Sequence, residues 1–349
     1  MKNKKVIIDI NHPAHVHFFK NLYFQLVKDG YEVRVTSTTK EISELLLNKY
    51  NIPYVNLGTY RKGLFKKFID FLIIGLKFTL FCLKYKPDFI LSISSARPFG
   101  TLVSKAKFFV FTDTEHAKEQ IKLFKPFAIK IFTPGCFLDD LGSKQIRYPG
   151  YHELAYLHPN WFTPNPKVLE EIGFNENDKF YIVRFVSWEA THDLGQKGLS
   201  IEDKRKLIET LKPHGKIIIT SEKELPEEFE EYRMKICPTK MHDLLYYATL
   251  LYGESATMSS ECAVLGTHSF FIDFAGRGYT DEQQKKYNLV YNYKTDRESI
   301  NSSFEKLNNL LQNVNLKELG KKKREILLKD KIDVTEWMIK LIEKELNKN

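Results

Sequence analysis

LYGESATMSSECAVLGT, residues Leu251–Thr267, runs from apolar residues into Gly253, then through small hydroxyl residues into a helix-compatible segment that stops at Gly266. This pattern predicts a strand, a tight turn and a helix N-terminus. Free N–H groups and the positive end of the helix dipole at such a turn favour an anion, each charge–dipole contact contributing roughly 0.3–1 kcal/mol. We expect a phosphate here, with Glu261 accepting from a ribose hydroxyl. An ordinary capped helix behind a buried strand is the alternative.

The same alternation of short β-rich runs and helical runs continues on both sides of this stretch. Repeated strand–helix–strand units of this length indicate α/β architecture with parallel, doubly wound sheets. We therefore predict two tandem Rossmann-like domains facing a cleft. The predicted parts are a first Rossmann-like domain (1–150), a second Rossmann-like domain (151–333) and a C-terminal helix (334–349) that packs back on the first domain. Residues 147–166, rich in Pro, resemble an interdomain linker.

Composition fits this organisation, because 349 residues, 43% hydrophobic and 28% charged, suffice for two globular cores. The N-terminus has no signal-peptide core, so we expect a cytoplasmic protein. The four cysteines lie far apart without metal-ligand spacing, which favours reduced thiols. We expect no metal and no cofactor, since no Asp-x-Asp motif follows a strand.

The positive charge is concentrated in the first 150 residues, which hold 24 Lys and Arg against 12 Asp and Glu, a net +12; the rest carries −3. Within this half, residues 60–86 are strongly apolar and flanked by lysines, but their apolar core is too short to span a bilayer. They predict a helix at an anionic membrane surface, where each basic residue adds about 1 kcal/mol. A crossover helix buried against the sheet is the alternative. We expect no nucleic-acid partner, because no recognition-helix or ribonucleoprotein motif is present.

Polar residues follow three predicted strands of the first domain, where ligands of doubly wound sheets bind. His15 is the candidate general base, since imidazole can remove a hydroxyl proton near neutral pH; a helix-capping role is the alternative. Asp113 and Glu115 are alternative bases, with N-capping as the structural alternative. The remaining candidates for the acceptor side of the cleft are His12, His17, Ser94 and His116.

In the second domain, Arg184 could bind a diphosphate through its guanidinium. The loop that follows supplies Trp188 and His192 to the cleft, and Ser221 ends another predicted strand. The loop formed by Lys240, Met241 and His242 would cover the nucleotide base.

These motifs resemble the GT-B glycosyltransferase superfamily, in particular the N-acetylglucosaminyltransferases that make lipid II and the non-hydrolysing UDP-GlcNAc 2-epimerases. Pro13–Val16 looks like the transferases' first glycine-rich turn, and residues 256–266 look like their nucleotide-binding turn. The resemblance implies ribose binding by Glu261 and sugar binding by Gln283 and Gln284. It also implies that the amides near Thr257, Met258 and Ser259 hold the donor's diphosphate, with Ser255 beside them, and that residues 1–150 bind the acceptor and residues 151–333 the nucleotide-sugar. Glu254 departs from the family pattern, because its carboxylate would repel a phosphate there unless it binds the donor's sugar hydroxyls instead.

Across nearly its full length the chain also resembles a family of archaeal and bacterial proteins of unknown function, through segments such as 12–19, 112–117, 150–159 and 253–258. The expected activity is metal-independent, inverting transfer of a sugar from a nucleotide donor, UDP being favoured, to a membrane-associated glycolipid or polysaccharide. A UDP-sugar 2-epimerase and a non-catalytic nucleotide-sugar-binding protein are the alternatives. Trp188–Asp193 stands in place of the epimerases' His-Arg-Arg-Glu segment, which disfavours the epimerase.

Overall fold

The computed structural model describes residues 4–38, 41–93, 99–186, 198–221, 224–234 and 236–346. The chain divides into two compact units. Unit 1 comprises Met1–Tyr156 and Ile332–Asn349, and unit 2 comprises Leu157–Lys331.

Unit 1 alternates strands with helices as the sequence predicts. In order it contains β1 (Lys5–Ile10), α1 (Pro13–Lys28), β2 (Glu32–Ser37), α2 (Glu41–Lys49), β3 (Tyr54–Asn56), α3 (Leu64–Tyr85), β4 (Phe89–Ile93), α4 (Phe99–Ser104), β5 (Lys107–Phe111), α5 (Lys118–Phe124), β6 (Lys130–Pro134) and β7 (Gln145–Tyr148). Within the described residues these strands form a seven-stranded sheet in the order β3-β2-β1-β4-β5-β6-β7, and each pair is parallel.

Unit 2 repeats this plan on a smaller scale. It contains α6 (Lys167–Glu171), β8 (Phe180–Phe185), α7 (Ile201–Leu211), β9 (Lys216–Ser221), α8 (Met241–Tyr247), β10 (Leu250–Gly253), α9 (Ala256–Leu265), β11 (His268–Ile272), α10 (Gly278–Glu282), β12 (Val290–Tyr293), α11 (Arg297–Leu311) and α12 (Leu316–Asp330). Its described strands form a five-stranded parallel sheet in the order β12-β11-β10-β8-β9. The prediction of two doubly wound α/β domains is therefore confirmed.

The C-terminal helix α13 (Val334–Leu346) belongs to unit 1. Its Trp337 ring lies 5.4 Å from that of Phe132 and 4.9 Å from that of Tyr148, measured between centroids. Lys130 on β6 forms a 3.0 Å ion pair with Glu345. These contacts hold α13 against β6 and β7 of the first sheet.

Two segments differ from the sequence reading. The first is the beginning of the predicted linker 147–166: residues 147–156 are packed in unit 1, with Tyr148 in β7 and with Tyr151 and Leu154 fully buried. The second is Tyr232–Ile236, whose alternating apolar residues predict a further strand of the second domain; in its described part this prediction is wrong, because Tyr232 ends a 3-10 helix and Arg233 makes an isolated bridge to Ile219. Among the described residues of this segment, only Arg233 pairs with β9, so no continuous strand forms there.

Candidate functional site

Each sheet has a topological switch point, where successive connections leave in opposite directions. In unit 1 it lies between β1 and β4, and in unit 2 between β8 and β10. Ligands of doubly wound sheets bind beyond the carboxyl ends of the strands at such points. The two turns singled out from the sequence, after β1 and after β10, both begin there.

The β10–α9 turn has the predicted strand–turn–helix form. Gly253 ends β10 opposite Arg184 of β8, and a Cβ at Gly253 would lie 2.4 Å from the Arg184 carbonyl oxygen. Ser255 caps α9, its hydroxyl accepting from the Met258 N–H at 3.3 Å, and Gly266 ends the helix with a φ of +83°. Glycine suits both positions, for close approach and for left-handed backbone respectively.

The cap engages part of the predicted anion site. The Met258 N–H donates to the Ser255 hydroxyl, and the Ser259 N–H donates to the Ser255 carbonyl oxygen. The first two helical amides, at Ala256 and Thr257, and the helix dipole remain the groups best placed to bind a phosphate. Diphosphate binding at this turn stays a prediction.

Glu261 lies in the second turn of α9 and pairs with a histidine that the sequence analysis did not assign to it. Its Oε1 lies 3.0 Å from Nε2 of His242, in the first turn of α8, and each residue is less than 10% exposed. The pair ties α8 to α9 beside the proposed donor turn and fixes the carboxylate orientation. The ribose contact itself stays a prediction.

Of the two predicted sugar-binding glutamines, Gln283 is fully buried and donates to the Ser260 hydroxyl at 2.7 Å. Gln284 is exposed, and its oxygen accepts from the Asn292 N–H at 2.7 Å. Both belong to a π-helical turn, Gln283–Tyr287, a feature that often marks functional sites. The hydroxyl of Ser259, the residue before Ser260 on α9, is fully buried and has no hydrogen-bond partner in the described part of the chain.

Other predicted donor residues surround the carboxyl edge of the second sheet. Arg184 on β8 donates from Nη1 to the Thr220 hydroxyl at 3.2 Å, and Ser221 ends β9. Lys240 forms an ion pair with Glu171, and Met241 begins α8. Their contacts with a nucleotide remain predictions.

Glu254, whose charge beside a phosphate site looked unfavourable, has two backbone partners. Its Oε2 accepts from the Val186 N–H and its Oε1 from the Leu199 N–H, both at 2.7 Å. The Glu254 side chain, which we predicted to contact the donor, therefore also bridges two backbone N–H groups that are 13 positions apart in the sequence.

In unit 1, His12 and His15 occupy the turn after β1. His12 caps α1, its Nδ1 accepting from the Ala14 N–H at 3.2 Å, while Nδ1 of His15 accepts from the Asn11 N–H at 3.3 Å. A neutral imidazole that accepts at Nδ1 carries its proton on Nε2. His17 is buried, with its ring 5.4 Å from that of Tyr156.

Asp113 follows β5 and pairs with His152, which lies in the 3-10 turn after β7. Asp113 Oδ2 and His152 Nδ1 are 3.1 Å apart. Burial alone would raise the pKa of Asp113, but the charge and hydrogen bond of His152, with the Thr114 hydroxyl, outweigh it and lower that pKa to about 2. Asp113 is therefore a carboxylate at neutral pH and a weak proton acceptor.

The other two candidates after β5 differ in burial. Glu115 is buried and accepts from the Leu138 N–H at 3.2 Å, whereas His116 is exposed. Ser94, Trp188 and His192 fall outside the described residues. No cluster of three His, Cys, Asp or Glu side chains suited to a metal ion occurs in the part of the chain that is described.

Helix α3 is the remaining predicted surface. One stripe, Ile74, Phe78 and Cys82, packs into the core of unit 1, as expected of a crossover helix. The opposite face is apolar and exposed: Leu64, Phe65, Phe68, Leu72, Ile73, Leu76, Leu80 and Leu83. Asp70, which interrupts the apolar run in the sequence, is buried and bound by Arg61 at 2.6 Å. No helix among the described residues is long and apolar enough to cross a bilayer.

Two parallel, doubly wound sheets of this kind define the GT-B fold, and solved structures agree over nearly the whole chain. S. aureus MnaA with UDP has a TM-score of 0.68 at 10% identity, covering 99% of this chain and 97% of MnaA. The UDP-GlcNAc 2-epimerase of Neisseria meningitidis bound to UDP-GlcNAc gives 0.61 at 13% (93% and 98%). The Streptomyces sp. SF2575 glycosyltransferase SsfS6 gives 0.60 at 10% (97% and 99%). At these identities the likeness concerns the fold.

The sequence defines the family more narrowly. The chain belongs to the family described as "Protein of unknown function (DUF354)", whose model matches residues 4–340. The uncharacterized protein MJ0665 of Methanocaldococcus jannaschii is 25% identical over 282 residues, which cover 76% of this chain and 81% of MJ0665.

Proposed function

We propose that this protein is a glycosyltransferase that takes a sugar from a nucleotide donor, UDP-sugar being favoured, and transfers it with inversion and without a metal. The observation that carries the proposal is the β10–α9 turn, which brings a helix N-terminus to the switch point of the second sheet with buried Glu261 one turn further on. The GT-B fold shared with structures that hold UDP or UDP-GlcNAc supports the nucleotide class.

In this proposal the donor's diphosphate binds the first amides of α9, and Glu261 accepts from the ribose hydroxyls. As the glycosidic bond to phosphate breaks, negative charge grows on the leaving nucleotide. The helix dipole and Arg184 offset that charge, the role that fixed dipoles and cations have in metal-free transfer.

His15 is the proposed base that removes the acceptor's hydroxyl proton as the acceptor oxygen attacks the anomeric carbon. To accept that proton at Nε2, the neutral imidazole must first carry its own proton on Nδ1. This tautomer loses the hydrogen bond from the Asn11 N–H to Nδ1, which at 3.3 Å is weak. Asp113, with a pKa of about 2, is less suited to the task, and Glu115 is the alternative base.

The proposed acceptor is a glycolipid or polysaccharide at an anionic membrane surface. The exposed apolar face of α3 supports this choice, because lysines interleave and flank it: Lys62, Lys66, Lys67, Lys77, Lys84 and Lys86, all exposed. An apolar face edged by positive charge is the surface that anionic lipids complement.

A UDP-sugar 2-epimerase is the second candidate, because solved UDP-N-acetylglucosamine 2-epimerases match this fold at least as well as solved glycosyltransferases do. An epimerase would exchange the C2 proton of a UDP-sugar with solvent deuterium when no acceptor is present. A transferase would not.

Calorimetric titration with UDP, UDP-GlcNAc, GDP and CDP tests the donor. We expect UDP to bind and Glu261→Ala to weaken it about tenfold or more, with Glu209→Gln, an exposed change on α7, as control. Failure of all four to bind, or unchanged UDP affinity in Glu261→Ala, would refute the assignment. His15→Gln, which keeps a hydrogen-bonding group but no base, should abolish transfer while UDP affinity is retained.

A further inference from the structure

The Glu254 carboxylate joins three parts of unit 2 at the switch point of its sheet. It follows β10 directly, and its own N–H donates to the Arg184 carbonyl oxygen of β8 at 3.0 Å. Its two oxygens then accept from Val186, the residue after β8, and from Leu199, just before α7. One side chain thus binds both ends of the β8–α7 connection.

The contact has the features of a strong one. Both hydrogen bonds are 2.7 Å long and charge-assisted, a class roughly twice as strong as neutral bonds. Gly198 leaves room for the carboxylate, since a Cβ there would lie 2.5 Å from Glu254 Oε1. Buried Lys204 on α7 supplies positive charge: burial lowers the pKa of its ammonium, and the Glu254 carboxylate opposes that shift.

We propose that Glu254 is a positioning residue, which fixes both ends of the β8–α7 connection beside the donor turn and does not bind the donor sugar. The carboxylate is engaged by two amides and lies near a buried ammonium, so its charge is matched within the protein. This explains how an acidic residue can stand next to the helix N-terminus of α9 without opposing an anion there.

Hydrogen–deuterium exchange resolved to single amides tests the proposal in the free protein. In Glu254→Gln one oxygen is replaced by an NH2 group that faces a backbone N–H, so we expect the Val186 and Leu199 amides to exchange about tenfold faster or more. Amides of β10 and α9 should change less than about twofold, and Glu209→Gln should change none of them.

Gly198→Ala provides a second route that disturbs the contact without changing the Glu254 side chain itself. Its methyl group would displace Glu254 Oε1 and should accelerate exchange at Leu199. If neither Glu254→Gln nor Gly198→Ala changes exchange at Val186 or Leu199, the positioning role is wrong.

Nucleotide affinities distinguish a positioning role of Glu254 from a contact with the donor sugar. This part of the test rests on the proposed function. A positioning residue predicts that Glu254→Gln changes the affinities for UDP and UDP-GlcNAc by the same factor. Selective loss of UDP-GlcNAc affinity, with UDP affinity and amide exchange unchanged, would make Glu254 a sugar ligand and overturn the proposal. If the wild-type protein binds neither nucleotide, the proposed function fails, whereas the exchange result still decides the role of Glu254.

Discussion

The Asp113 carboxylate lies 3.1 Å from Nδ1 of His152, and the His152 ring packs 4.5 Å from Phe18, between centroids. This contact joins the end of β5 to the turn after β7 and to α1. The His152 Nε2 atom is buried without a hydrogen-bond partner among the described residues, so the imidazole depends on Asp113 for its polar contact. The pair therefore stabilises the carboxyl edge of the first sheet as well as setting the charge of Asp113.

Asp113→Asn should lower the free energy of unfolding by about 2 kcal/mol at pH 6. The folded-state pKa of about 2 lies below the ordinary value, so the contribution is fully present above the unfolded pKa of about 4 and is lost as pH falls through 2. Urea unfolding at pH 6 and pH 3 should show the difference shrink to about half at the lower pH. Asp139→Asn, in the same unit, is the control, and an equal difference at both pH values would contradict the prediction.

The sequence predicted those features of the fold that local chemistry specifies. Ser255 and Gly266 are helix-capping residues, so both ends of α9 could be placed, and apolar runs separated by helical spacing gave the doubly wound class. The strand β7 was missed because Pro149 and Gly150 suggested a linker, whereas tertiary contacts bury that segment.

The side-chain pairs could not be derived in this way. Asp113 and His152 are 39 positions apart, and Glu254 reaches back 55 positions to Leu199, so only the folded chain brings them together. His152 stands within the family-specific segment 150–159, which was the available signal, but that signal named no partner. The sequence therefore indicated which sheet edges carry the candidate residues. Which side chains pair at those edges depends on the order of the strands, which the sequence alone did not provide.

Gly253→Ala should destabilise unit 2 by about 3 kcal/mol, because its methyl group would overlap the Arg184 carbonyl oxygen at 2.4 Å and force β10 away from β8. Thermal and urea unfolding measure the change. Gly276→Ala is the matched control: its nearest neighbour, Asp281, is 3.7 Å away, so the change should stay below about 1 kcal/mol. Similar effects of both substitutions would show that close packing at Gly253 is unimportant.

Trp337→Ala should cost unit 1 about 3 kcal/mol, since α13 loses its ring contacts with Phe132 and Tyr148. Urea unfolding should detect the loss. Glu336→Ala removes a neighbouring exposed ion pair with Lys340 and should cost less than about 1 kcal/mol. If Trp337→Ala matched this control, α13 would contribute little to the stability of unit 1.

The exposed face of α3 should bind anionic vesicles. Replacing Phe65, Phe68 and Leu76 by Ser removes three side chains that are 60–77% exposed, so stability should change by less than about 1 kcal/mol. Cosedimentation with phosphatidylglycerol vesicles should fall about tenfold or more, because each lost apolar contact and each basic residue near the surface contributes on the order of 1 kcal/mol. Leu138→Ser, an exposed leucine outside α3, is the control and should leave binding unchanged.

Binding should also weaken with salt and be weak on neutral vesicles, because the lysines act electrostatically. If the triple variant instead dissociates a dimer in analytical ultracentrifugation and vesicle binding is unaffected, the face contacts a second copy of the chain and the membrane proposal is wrong.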